Sequence, residues 1–181
     1  MKKIAFLIAI VIILGSCSSS KEASITKHET KNQKKLAEQE AIKKAVESRR
    51  YIIKLNKLYS TNGGTIDLVP TSNFVIINGG IASVRLFYAG ITQFSRPVSA
   101  INFNGHTITY EMKSDQAKGT YTINTRVNKG ADDFDLYITI GISGSASLSV
   151  INPHIQSVSY RGEVMPIPTE VEPSTANEKR L

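Results

Sequence analysis

Apolar and polar residues alternate with a period of two along most of this chain. Tyr51, Ile53 and Leu55 interleave with Ile52, Lys54 and Asn56. Ile66 and Leu68 flank Asp67. Ala82, Val84, Leu86 and Tyr88 interleave with Ser83, Arg85 and Phe87. The same rhythm returns at Ile108, Tyr110 and Met112, from Tyr121 to Val127, from Phe134 to Ile140, from Ala146 to Val150, and at Val158 and Tyr160. Successive side chains of a strand point to opposite faces, so each run predicts one dry face and one wet face.

Turn chemistry separates the runs. Asn78-Gly79-Gly80 leaves a hairpin-length gap. Asn62-Gly63-Gly64, Asn104-Gly105, Lys129-Gly130 and Gly144 are further turn candidates, because Gly and Asn accept the positive φ of tight turns. Asn152-Pro153 ends a strand or marks an edge irregularity. Short strands with short connections predict an all-β domain over residues 49–168. Its expected form is an antiparallel meander of about eight or nine strands in a lipocalin-like barrel or half-barrel, with a Greek-key sandwich as the alternative.

Upstream the pattern changes. Residues 34–48 are rich in Ala, Lys, Glu and Gln, and Ala37, Ala41, Ile42, Ala45 and Val46 recur at spacings of three and four. That predicts one short helix with a weak apolar stripe, packed loosely on the domain. Residues 17–33 are polar and read as a flexible tether, and residues 169–181 as a disordered tail.

The extreme N-terminus has its own signature. Lys2 and Lys3 precede an apolar run from Ile4 to Leu14, followed by Gly15, Ser16 and Cys17. A charged start, a short apolar stretch and small residues predict a signal peptide over residues 1–16. Leu14-Gly15-Ser16-Cys17 resembles the lipobox of bacterial lipoproteins. The resemblance implies cleavage before Cys17 and a diacylglyceryl group on its thiol, with the new N-terminus acylated as well. The expected location is the cell envelope, with the protein held by lipid in the outer membrane and facing the periplasm. Cys17 is the sole cysteine, so no disulfide forms within the chain and the fold relies on its core.

Charge narrows the list of partners. The whole chain carries +7, but the excess is local. Residues 18–57 hold eleven Lys or Arg against five Glu, whereas residues 58–168 hold seven groups of each sign. The basic isoelectric point therefore belongs to the leading segment. A neutral folded module argues against nucleic acid, which needs a basic face on the fold. The basic segment beside a lipid anchor is either a solvated linker or a surface resting on anionic headgroups.

Candidate chemistry is sparse. His28, His106 and His154 are isolated, with no partner at metal-ligand spacing, and neither a metal nor a cofactor is expected. Gly141-Ile142-Ser143-Gly144-Ser145 is similar to a nucleophile elbow but lacks its second Gly and leads into another strand. Asp132, Asp133 and Asp135 supply oxygen ligands without any recognised calcium-loop spacing. Glu111 and Glu163 form an acid–base pair only if the fold brings them together. Tyr88, Phe94 and Arg96 are the candidate ligand-binding residues. They lie on or beside the segment from Gly90 to Ala100, the longest stretch between confident strands, and long loops on a rigid scaffold often carry function.

The segment from about Ser48 to Glu163 resembles a family of bacterial lipoproteins, the domain of unknown function 4251. The likeness rests on Arg50-Tyr51-Ile52-Ile53-Lys54-Leu55-Asn56, Gly64-Thr65-Ile66-Asp67-Leu68, and Phe74-Val75-Ile76-Ile77-Asn78-Gly79-Gly80. It continues in Leu86-Phe87-Tyr88-Ala89-Gly90, in Ser95 and Pro97, and in Ser157-Val158-Ser159-Tyr160-Arg161-Gly162. Ile91, Thr92 and Gln93 depart from the Arg and Tyr residues common in the family. The resemblance implies fold and compartment and names no reaction.

Three functional readings follow. The first is a noncatalytic, lipid-anchored envelope protein with a binding or accessory domain, taking a small apolar or glycan ligand or an envelope protein. The second is a structural or assembly partner acting through protein contacts. The third is an enzyme, and no catalytic residue is nominated for it. A hollow interior favours a ligand. A filled interior with an exposed apolar patch favours a protein.

Overall fold

A computed structural model describes residues 19–60, 63–91 and 97–168, with side chains described at 31–60, 63–88 and 100–168. The expected signal peptide, Cys17, Phe94, Arg96 and the tail at 169–181 lie outside the described residues. The chain divides into two compact units, Met1–Glu38 and Gln39–Leu181. Helix α1, Ser19–Glu47, is the described part of the first unit and enters the second at Gln39. No described helix is long and apolar enough to cross a membrane.

The second unit is an antiparallel barrel of nine strands. They are β1 (Arg50–Tyr59), β2 (Thr65–Asp67), β3 (Phe74–Asn78), β4 (Ile81–Ile91), β5 (Pro97–Asp115), β6 (Thr120–Lys129), β7 (Asp132–Gly141), β8 (Ser145–Asn152) and β9 (Ile155–Pro166). From β3 onward each strand pairs with its successor. β9 then returns to β1, from Tyr51 opposite Pro166 to Tyr59 opposite Ser159, and the ring closes with eight strands. The ninth, β2, is a short flap on β1. The predicted meander is therefore a full barrel, not a half-barrel or a sandwich.

Alternation produces the core. Ile53, Leu55, Val75, Ile77, Val84, Leu86, Ile123, Leu136, Ile138 and Ile140 are buried and belong to one apolar cluster. Tyr51, Tyr88 and Tyr160 cross the interior with them. An eight-stranded barrel is just wide enough for its own side chains, and these side chains occupy it. At one end the last turns of α1 join in. Ile42, Ala45 and Val46 are buried, and a Cβ on Gly144 would lie 3.2 Å from Ile42 Cδ1.

Four sequence expectations change. The helix was expected over 34–48 but starts at Ser19. The polar segment Ser19–Gln33 contains no Gly or Pro, and extending an existing helix is far less costly than nucleating one. The helix also packs tightly rather than loosely, since its last turns belong to the core. Its far end is a left-handed residue, Arg49 at φ 56°, whose N–H reaches Val46 O. Third, Asn104-Gly105 is not a turn. It lies inside the long strand β5, where a Cβ on Gly105 would meet Asn128 O at 2.3 Å. Fourth, Ile108 does not lie on a dry face. A bulge between Thr107 and Thr109 leaves Ile108 unpaired and exposed, whereas Met112, 37% exposed, stays on the face of its buried partner Ile123.

The turn reading at Asn78-Gly79-Gly80 stands. Gly79 has φ 61° and the two glycines join β3 to β4, as a tight hairpin requires. Substitution separates the two uses of glycine. Gly105→Ala should lower stability by about 1–3 kcal/mol or prevent folding, since backbone cannot yield as a side chain does. Gly80→Ala has open space around its Cβ and should change little. Urea denaturation of both variants reads the difference, and equal midpoints would contradict the close-approach argument.

Candidate functional site

Among the described residues the wall of the barrel is continuous except at one seam. One edge of β1 is shared by two strands, with Arg50 to Lys54 pairing with β3 and Lys57 to Tyr59 with β2. β3 follows β4 only as far as Phe74 opposite Arg85. β4 continues to Ile91, so its second half loses its β3 neighbour while β2 stands off on β1. A groove of about 440 Å³ lies in the gap. Ile66, Leu68 and Val69 form one bank and Leu86, Phe87 and Ala100 the other.

Side chains seal the seam where backbone pairing stops. Asn73 is buried at 5% exposure. Its Nδ2 donates to Val69 O at 2.9 Å, and its Oδ1 accepts from the Phe87 N–H at 2.6 Å. Tyr160 Oη, inside the barrel, donates to Phe87 O at 3.0 Å. Both backbone groups that Phe87 turns toward the missing strand are thus satisfied. Tyr88 Oη donates to Gln156 O at 3.1 Å, a second tie between β4 and β9, which are not neighbours in the sheet.

The outer lip is open. Leu68 N–H donates to Asn56 O and Ser60 N–H to Gly64 O, so the even-numbered residues around β2 face β1. The backbone groups of Thr65 and Asp67 therefore face away, on an edge with no partner strand among the described residues. Large apolar side chains stand exposed beside that edge: Val69 at 63%, Phe87 at 40% and Ile66 at 37%.

Of the residues nominated from sequence, Phe94 and Arg96 lie outside the described residues. Tyr88 is buried, and its hydroxyl donates to Gln156 O near the start of β9. β4 and β5 extend through most of the expected Gly90–Ala100 loop, leaving only Thr92–Arg96 between them. Glu111 lies opposite Asn124, whereas Glu163 lies between Lys54 and Ser145, so the two carboxylates occupy separate walls. The three Asp side chains diverge. Asp135 takes Arg126 in a two-point pair at 2.7 and 3.0 Å, Asp133 accepts from Asn128 Nδ2, and Asp132 lies 3.8 Å from His154. Among the described residues no group of three or more acidic, His or Cys side chains could hold a metal. Ser143 sits in the three-residue turn from β7 to β8, not on a strand-to-helix elbow. The seam was missed because its members are far apart in sequence. The one local signal was Val69-Pro70 breaking the alternation between two strands.

The family model for the domain of unknown function DUF4251 matches residues 33–164. This chain belongs to that family. A crystal structure of a DUF4251 family protein from Bacteroides eggerthii superposes with a TM-score of 0.60 at 16% identity, covering 72% of this chain and 88% of that one. At that identity the likeness is one of fold. No curated protein matches the chain. The DUF4251 match includes the last turns of α1 as well as the barrel, and every residue of the seam lies within it.

Two predictions follow for this DUF4251 barrel. Asn73→Ala leaves a buried N–H without a partner, which costs about 1–3 kcal/mol. The Phe87 amide should then exchange its hydrogen faster than its neighbours, whereas unchanged protection would show that Asn73 does not hold the seam. Alkaline pH provides the second. Burial pushes the phenols of Tyr51, Tyr88, Tyr110 and Tyr160 above the ordinary range, most for Tyr51 and Tyr160. Their neutral form is favoured in the fold, so this stabilisation is complete below about pH 10 and is lost as pH rises and the unfolded chain ionises first. Tyrosinate absorbance from these residues should appear together with loss of the β circular-dichroism signal. Full ionisation of an intact barrel would contradict their burial.

Proposed function

We propose that this DUF4251 protein is a noncatalytic, lipid-anchored component of the bacterial envelope whose barrel holds an extended segment of a protein partner at the seam between β2 and β4. The open edge of β2 beside exposed Ile66, Val69 and Phe87 carries the proposal. An added strand gains main-chain hydrogen bonds from such an edge, and pockets for alternate side chains give it selectivity. Thr65 and Asp67 supply the free backbone groups, while Leu68 and Leu86 supply an apolar floor. The packed interior supports this reading over a small apolar or glycan ligand inside the barrel. The anchor rests on the lipobox at Leu14-Gly15-Ser16-Cys17, the location on the same motif, and the noncatalytic character on the pairing of Asp133 and Asp135 with Asn128 and Arg126.

The test uses a photo-crosslinking amino acid at Val69 or, as a control on the outer face of β8, at Ser147. A discrete protein adduct should form from Val69 and not from Ser147. It should disappear in Ile66→Asp/Phe87→Asp, whose melting temperature should stay near that of the parent because both side chains are partly exposed. Equal adducts from both positions, or an adduct that survives the double substitution, would remove the seam as the site. Cys17→Ala should move the protein from the detergent phase to the aqueous phase, and unchanged partitioning would remove the anchor.

A further inference from the structure

Three cations of the barrel form ion pairs where they stand. Lys57 pairs with Asp67 at 2.7 Å, Arg126 with Asp135 at 2.7 Å, and Lys118 with Asp115 at 3.6 Å. Lys31, Lys34 and Lys35 of α1 are exposed and form no ion pair with any described carboxylate. Together with Lys27 they recur at spacings of four, three and one. On a helix of 3.6 residues per turn those four positions share one side, and positions 22 and 29, both Glu, fall on the other. The stripe ends at Glu38, where the first unit ends.

The helix begins at Ser19, two residues beyond Cys17. A chain spans at most about 3.6 Å per residue, so the first residue of α1 lies within roughly 7 Å of the Cα of Cys17, the residue of the proposed anchor. If the helix stood upright on the membrane, positions 27 to 35 would be roughly 12–24 Å above its first turn at 1.5 Å per residue. That is beyond the Debye length of about 8 Å at physiological salt, and a surface charge would hardly act there. With the helix lying along the surface, all four lysines come within range. Each is then worth about a fivefold gain in association with an anionic surface.

We propose that the basic side of α1, formed by Lys27, Lys31, Lys34 and Lys35, lies against anionic phospholipid headgroups of the leaflet that holds the Cys17 lipid. The helix then runs along the membrane instead of standing off it. The proposal rests on the lipid-anchor reading, and charge complementarity selects the occupant: four cations on one side of a helix whose first residue adjoins the anchor. Apolar insertion is not part of it, since Leu36 falls on the side away from the lysines.

The test uses the full-length lipidated protein on vesicles of phosphatidylcholine alone or mixed with phosphatidylglycerol. Ser24→Cys, on the basic side of the helix, carries an environment-sensitive fluorophore, the Cys17 thiol being blocked by acylation. Flotation with the neutral vesicles reads the anchor. A blue shift of the label on the phosphatidylglycerol vesicles reads the helix. The shift should be reversed by added salt and absent from Lys27→Gln/Lys31→Gln/Lys34→Gln/Lys35→Gln, which should still float. Identical emission on both vesicles, or a shift that salt or the quadruple substitution leaves intact, would overturn the proposal. If the protein fails to float on neutral vesicles, the anchor reading fails by itself. Salt-sensitive flotation on the anionic vesicles would then still support the helix stripe, and no flotation there would reject it.

Discussion

One strand holds the barrel shut. β1 carries β9 along one edge and both β3 and β2 along the other, so ring closure and the seam are decided on the same ten residues. Antiparallel pairing from Tyr51 to Tyr59 with β9 joins the end of the domain to its beginning. That approach is close. A Cβ on Gly162 would collide with the backbone carbonyl of Lys54, and the register steps between Leu55 and Lys57. A closed barrel has no exposed edges except where a strand stops early, and here the strand that stops early is β3.

The helix junction obeys the same closure. Arg49 turns the chain into β1 with positive φ, and its guanidinium lies over the Tyr110 ring at 4.4 Å. Tyr110 and Tyr51 join their hydroxyls at 3.1 Å inside. Arg49 and residues from β1 and β5 thus lock one end, while Tyr88 and Tyr160 tie β4 to β9. Among the described residues the interior is filled by the chain's own side chains.

Much of this was legible in the residue pattern. The runs at Tyr51 to Leu55, Ala82 to Tyr88, Tyr121 to Val127, Phe134 to Ile140 and Ala146 to Val150 became strands with the expected dry faces, because period-two burial is a local signal. Gly105 was misread because a glycine needed for a turn and one needed for close approach look alike in sequence. Ile108 was misread because a bulge changes the phase without changing composition. The seam was invisible for a different reason. Tyr160 bonds a carbonyl 73 residues away and Asn73 an amide 14 residues away, and no window on the chain contains either pair.

The seam divides the molecule into a part that must be kept and a part that can vary. Elsewhere neighbouring strands are joined through their main chains, and a change in one strand disturbs the next. At the seam Asn73 and Tyr160 meet every demand of the Phe87 backbone, so Ile66, Val69 and Phe87 can exchange side chains without disturbing the ladder. A rigid barrel with such a replaceable panel can change the surface it presents there by single substitutions while its folding problem stays solved.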